Sequence, residues 1–175
     1  SHAREDGYVQ DLASQWVAGF VGGGPGERVL DLCAAPGGKA TAIAASGAFV
    51  VAADLHEHRC RLIAENRVST GTADRLAVLA ADGTAAPFRP ASFDRILIDA
   101  PCSGLGSLRR RADARWRIDA DAVDRLVLLQ RALLAAAVPL LRPGGTLTYA
   151  VCTLTAAETL GIDEWLTHQL PGWEA

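Results

Sequence analysis

Hydrophobic positions along the chain fall into short apolar runs that alternate with stretches at helical spacing. Val29-Leu30-Asp31-Leu32-Cys33, Phe49-Val50-Val51-Ala52-Ala53-Asp54, Arg75-Leu76-Ala77-Val78-Leu79, Phe93-Asp94-Arg95-Ile96-Leu97-Ile98 and Thr146-Leu147-Thr148-Tyr149-Ala150-Val151 read as five strands. Near-continuous apolar runs of this length suit strands covered on both faces, as in a parallel sheet. Between them, Leu12, Ala13, Trp16, Val17, Phe20 and Val21 recur at helical spacing and predict a helix over Val9–Val21 with Trp16 and Phe20 packed inward. Further helices are predicted from Lys39 to Ala45, over His56–Val68 with Cys60, Ile63 and Ala64 inside, over Asp121–Leu141, and over Thr155–Leu166. Gly22-Gly23-Gly24-Pro25-Gly26 and Arg142-Pro143-Gly144-Gly145 break the pattern. Regular alternation of strand and helix predicts an α/β fold with a doubly wound, mostly parallel sheet.

Composition narrows this without redirecting it. At 175 residues and 50% hydrophobic, the chain suits one globular domain whose core needs no staples. A net charge of -3 lacks the footprint of an autonomous nucleic-acid binder, so any such contact must be local. Cys33, Cys60, Cys102 and Cys152 lie far apart with no C-x-x-C pair, which argues against a zinc ribbon and a disulfide framework, and no metal is expected. No signal peptide opens the sequence and no apolar run reaches the ~18 residues of a membrane span, so a cytoplasmic protein with no membrane partner is expected. A monomer is expected too. Gly172-Trp173-Glu174-Ala175 carries no stop for a fold, and the chain is expected to be part of a longer protein.

The chemistry gathers at strand ends, where ligands of open α/β sheets bind. After the first strand, Ala34-Ala35-Pro36-Gly37-Gly38-Lys39 is a glycine turn opening a helix, which presents bare backbone amides at the positive end of a helix dipole. Pro36 and Lys39 depart from G-x-G-x-x-G, which opposes a nicotinamide dehydrogenase. Asp54 ends the next strand about 20 residues on, where a carboxylate can take two ribose hydroxyls. Asp82 follows the third strand and Asp99 ends the fourth. This set suits S-adenosylmethionine, with Asp54 on the ribose, Asp82 on the adenine edge and the turn around the methionine portion. Each Asp taken singly has a plain structural alternative, the capping of a helix.

Four separated motifs, VLDLCAAPGGK from Val29 to Lys39, Ala53-Asp54, DAPCSG from Asp99 to Gly104 with Arg109-Arg110, and YAVCT from Tyr149 to Thr153, resemble those of the RNA cytosine-5 methyltransferases of the RsmB (Sun, Fmu) type. Tyr8 to Ala18 is similar to the segment before that family's catalytic core, so the resemblance spans nearly the whole chain. It implies a Rossmann-like class I methyltransferase fold over residues 1–175, without the family's N-terminal RNA-binding region and final strand hairpin. It implies methyl transfer from S-adenosylmethionine to carbon 5 of a cytosine in RNA, rRNA in preference, through a cysteine adduct. The nucleophile would be Cys152, with Cys102 assisting breakdown of the adduct, Asp99 holding the base and Lys39 orienting Asp99 or the base. Cofactor contacts would come from Cys33, Ala34, Ala35, Pro36, Gly37, Gly38, Lys39, Asp54, Arg59, Asp82 and Asp99. As thiols, Cys33 and Cys60 read as inert and buried. Val151 replaces the family's more usual Thr, and Ala112 stands where Pro commonly precedes Asp113.

Carbon 5 of cytosine is a poor nucleophile until something adds at carbon 6, and a thiolate adds readily while remaining able to leave. The base must also leave its stack, which single-stranded or looped RNA permits cheaply. Arg109, Arg110, Arg111 and Arg115, around Trp116, are candidates to grip RNA phosphates; a solvated basic loop is the alternative. A non-catalytic cofactor- or RNA-binding module is the competing function, and the joint presence of Asp99, Cys102 and Cys152 opposes it.

Overall fold

The structure, a computed structural model, describes residues 2–107, 120–171 and 173. It divides into two compact units, Ser1–Asp99 with Ala135–Ala150, and Ala100–Leu134 with Val151–Ala175.

The first unit is built on five strands, β3 (Arg28–Asp31), β4 (Phe49–Asp54), β5 (Leu76–Ala80), β6 (Phe93–Asp99) and β7 (Leu141–Ala150), preceded by the short pair β1 (His2–Ala3) and β2 (Val9–Gln10). The five run parallel in the order β5-β4-β3-β6-β7. The chain steps outward from β3 to β5 and then crosses back to β6, so the winding reverses between β3 and β6. A crevice opens at the carboxyl ends of the strands where such a reversal occurs. Val29, Val50, Ala52 and Leu97 pack with Ile43 of α2 (Gly38–Ala45) and Ile63 of α3 (Glu57–Ser69) into a buried core.

The sequence expectation fails at the first helix. Asp11 caps α1 (Leu12–Val21) by accepting from the Ala13 amide, and Val9 and Gln10 before it lie in a strand. Trp16 and Phe20 are 74% and 78% exposed, while Ala18 and Val21 are buried. Two apolar stripes run along this helix. It packs on α2, whose Gly, Ala and Thr residues invite close approach, so the stripe with the smaller side chain turns inward.

Three boundaries also move. The long helix α4 (Ala120–Ala137) stops before a 3-10 turn at Val138–Leu140, and β7 begins at Leu141 instead of Thr146, running through the Pro-Gly-Gly segment expected to end the helix. A register irregularity absorbs that segment, with Phe93 opposite Leu141 but Arg95 opposite Thr146. The last helix, α5 (Leu160–Gln169), starts later than Thr155 because side chains of the preceding residues bond to one another instead. Among the described residues no strand follows β7, no helix is long and apolar enough to cross a membrane, and no group of His, Cys, Asp or Glu is placed to hold a metal.

Candidate active site

In the first unit, the loop after β3 must turn sharply into α2. Gly37 is the N-cap of α2 at φ +105°, a left-handed conformation that favours glycine. A Cβ there would lie 3.2 Å from Ile63, and one on Gly38 would lie 3.0 Å from the Tyr8 ring and 3.1 Å from the Gln10 amide. The N-terminal strand pair therefore packs directly on the glycine turn. Arg4 anchors it by donating to the Gly38 carbonyl at 2.6 Å and to Thr41 Oγ1 at 3.2 Å.

A cleft of about 200 Å³ results, walled by Ala34, Ala35, Pro36, Gly38 and Lys39 of the turn, Asp31 and Asp99 at the ends of β3 and β6, and Tyr8, Val9, Gln10, Asp11 and Ser14. Lys39 Nζ donates to Asp99 Oδ2 at 2.6 Å and to Ser14 Oγ at 3.3 Å. Of the cofactor contacts expected from the sequence, Cys33, Gly37, Asp54, Arg59 and Asp82 are not in these walls. Asp54 is buried; its Oδ2 accepts from the Ala35 amide at 3.3 Å and pairs with Arg59 at 3.2 Å, while Arg59 also donates to the Ala35 carbonyl. These two side chains thus brace the turn. Asp82 is exposed, and its Oδ1 accepts from the amide and hydroxyl of Thr84. Those bonds hold its carboxyl below the usual range.

Asp31 went unremarked in the sequence. Its side chain is 1% exposed, and neither oxygen has a hydrogen-bonding partner of good geometry. Burial, reinforced by the charges of Asp99 and Asp54 and opposed by Lys39, pushes its carboxyl up to about 7. A carboxylate inside an otherwise apolar strand was the available signal, since a buried charge needs a compensating partner. Burial also pushes the Cys33 thiol up to about 12, and Cys60 is buried with its Sγ 3.4 Å from the Leu79 carbonyl oxygen. Neither is placed to act as a nucleophile.

In the second unit, Cys102 follows the end of β6 and Cys152 follows the end of β7. Their Sγ atoms are 3.3 Å apart, and the Cys152 amide donates to Cys102 Sγ at 3.3 Å. Cys152 is exposed and Cys102 half-buried. The hydrogen bond with Cys152, followed by burial, drives the Cys102 thiol well above its ordinary value, so Cys102 keeps its proton. The Gly106 amide donates to the Cys152 carbonyl at 3.1 Å, and a Cβ on Gly106 would crowd that same carbonyl. Arg109, Arg110, Arg111 and Arg115 lie outside the described residues.

A wholly parallel sheet wound both ways from β3, with its cleft at the reversal, is the Rossmann-like class I fold of S-adenosylmethionine-dependent methyltransferases. The chain belongs to the 16S rRNA methyltransferase RsmB/F family, whose sequence profile matches residues 22–170. Among its relatives, Rv1407 of Mycobacterium tuberculosis, named provisionally as a methyltransferase, is 46% identical over 161 residues, 87% of this chain and 34% of the relative. Human NSUN6, a tRNA (cytosine(72)-C(5))-methyltransferase, is 39% identical over 180 residues, 94% of this chain and 38% of that protein. The crystal structure of NSun6 from Pyrococcus horikoshii with SFG superposes at a TM-score of 0.83 with 31% identity, covering 93% of this chain and 42% of that one. The chain spans little more than a third of the length of these curated relatives.

Proposed function

We propose that residues 1–175 are the catalytic domain of an enzyme that transfers a methyl group from S-adenosylmethionine to carbon 5 of a cytosine in RNA, with rRNA the preferred class. The thiol pair carries this reading. Two cysteines in hydrogen-bonding reach, one exposed and one holding its proton, suit a reaction that needs a thiol to add to a base and a second to help release it. Support comes from the family, and from a relative named as a cytosine-5 methyltransferase.

The cleft fits the cofactor. Asp31, buried with neither oxygen in a hydrogen bond of good geometry, would receive the ammonium of the methionine portion, and the turn from Ala34 to Gly38 would enclose it. The Pyrococcus relative holds SFG, an analogue of the same cofactor. Asp54 with Arg59, and Asp82, remain the candidates for the nucleoside portion, with Cys33 contributing through the loop. When bound, S-adenosylmethionine supplies an electrophilic methyl group on a sulfonium.

Cys152, as the thiolate, adds to carbon 6 of the cytosine, and the electron pair of the 5,6 double bond makes carbon 5 nucleophilic. Asp99, held by Lys39, hydrogen-bonds the ring nitrogen and exocyclic amine of the base. With Cys152 Sγ bonded to carbon 6, the hydrogen bond that holds the Cys102 proton is gone. Cys102 then loses that proton to solvent and, as the thiolate, takes the carbon 5 proton once carbon 5 carries the methyl group; the electrons of that C–H bond re-form the double bond and the Cys152 thiolate leaves. Arg109, Arg110, Arg111 and Arg115 would supply phosphate contacts.

Incubation of the full-length protein with cellular RNA and cofactor tests this. A Cys102→Ala variant is expected to accumulate a protein–RNA adduct whose trapped peptide contains Cys152. An adduct on Cys102 would reverse the two roles. A protein that binds cofactor yet methylates no RNA would instead be a binding module.

A further inference from the structure

The thiol pair is held in place by groups that are not themselves thiols. Glu158 is wholly buried. Its Oε1 accepts from the Ser103 amide at 2.9 Å and from Gln130 Nε2 at 3.0 Å. Its Oε2 accepts from the hydroxyls of Ser103 at 2.5 Å, Thr153 at 3.1 Å and Thr155 at 2.7 Å. Ser103 is the residue after Cys102, and Thr153 is the residue after Cys152. Gln130 Nε2 also donates to the carbonyl of Pro101, the residue before Cys102, at 2.9 Å. One carboxylate therefore gathers the backbone on either side of the first cysteine and the side chain that follows the second.

Burial acts to push this carboxyl up, but the bonds from Ser103, Thr155 and Gln130 outweigh it and hold Glu158 below the usual carboxylate range. The ionised form is the one that accepts from every donor around it. An apolar side chain would fill the same space at less desolvation cost. It could not offer both cysteine loops a shared acceptor.

We propose that Glu158 is a positioning residue which sets the spacing and orientation of Cys102 and Cys152. Its catalytic consequence rests on the methyl-transfer reading; its effect on the two thiols does not. With the clamp intact, the sulfur atoms stay in mutual hydrogen-bonding reach. Without it, the loops that carry them relax independently.

The test uses the full-length protein with Glu158→Gln, Glu158→Ala and the milder Thr155→Val, which removes one donor from Oε2. Disulfide formation between Cys102 and Cys152 under diamide reports thiol geometry without RNA: each thiol gives up one proton and one electron, and one diamide is reduced to its hydrazine. Disulfide formation needs closely matched Cβ positions. Glu158→Gln is expected to slow it roughly tenfold, to lower kcat about 10²-fold with KM for RNA changed by less than about threefold, and to leave the cofactor Kd within about twofold. Thr155→Val should fall between that variant and the wild type on both rates. Wild-type rates of both reactions in Glu158→Gln would overturn the proposal, as would an unchanged disulfide rate in Thr155→Val should the Glu158 variants not fold. If the wild type methylates no RNA while its disulfide rate still depends on Glu158, the positioning role stands and the functional reading fails.

Discussion

Cys102 Sγ lies 3.3 Å from Cys152 Sγ, and the hydrogen bond between the sulfurs, with burial, outweighs the opposing effect of the Cys152 amide that Cys102 Sγ accepts, so the half-buried partner of the pair is held as a neutral thiol. Only the thiolate is an effective nucleophile, which favours Cys152 for attack. Limited treatment with iodoacetamide at neutral pH is expected to label Cys152 well before Cys102, as read by peptide mass spectrometry. Cys152→Ala should abolish the RNA adduct, and Cys102→Ala should lower turnover by roughly 10²–10⁴-fold, the range for loss of a proton-transfer group.

Asp31 makes stability depend on pH in an uncommon direction for a carboxylate. Its folded value of about 7 lies above the ordinary 3.8, so between these values the folded chain holds a proton that the unfolded chain has lost. Its contribution is fully present below about pH 4 and is lost as pH rises to 7, at about 1.4 kcal/mol per pH unit. Asp31→Asn, which mimics the protonated acid, is expected to be more stable than the wild type at pH 8 and no more stable at pH 3.5, by urea denaturation. Binding of a cationic ligand reverses the preference. Affinity for S-adenosylmethionine should therefore rise through pH 7 in the wild type, and be weak and flat in Asp31→Asn by calorimetry.

Lys39 and Asp99 share a 2.6 Å ion pair whose side chains are 15% and 34% exposed. Because Asp99 is a third exposed, solvent moderates the loss when its partner is removed. Lys39→Met should cost about 1 kcal/mol in stability. Methyl transfer should drop by roughly 10²-fold with Asp99 no longer held, measured as kcat at saturating cofactor.

Gly37→Ala combines a left-handed backbone with a Cβ 3.2 Å from Ile63. A cost of about 1–3 kcal/mol is expected from denaturant unfolding, with weakened cofactor binding as the turn shifts. By contrast, Trp16→Gln should alter stability by less than about 0.5 kcal/mol despite removing a large aromatic ring, because that ring is 74% exposed.

The strands were legible because uninterrupted apolar runs such as Ile96-Leu97-Ile98 have few other fates, and the residues at their ends could be read as site candidates. Which stripe of α1 faces inward was not legible. Periodicity marks apolar positions, but the choice between Phe20 and Ala18 depends on the small residues of α2, which lie far along the chain. Lys39 and Asp99 were named from a motif, and the structure places them 2.6 Å apart; their third partner, Ser14, had no signal of its own. Glu158 falls in the first turn of the helix expected over Thr155–Leu166 and carries no other signal. Its role in bonding depends on Ser103 and Gln130, 55 and 28 residues away in sequence. Asp31 was hidden by its own strand, although its burial there is what makes it informative.

The strand pair anchored by Arg4 and the start of α1 place Tyr8, Gln10 and Ser14 along the cleft, whereas similarity to the family profile starts at residue 22. A fragment cut where the family profile starts would retain the glycine turn, Asp31 and Asp99, yet expose to water a flank that the intact chain covers with its first fourteen residues.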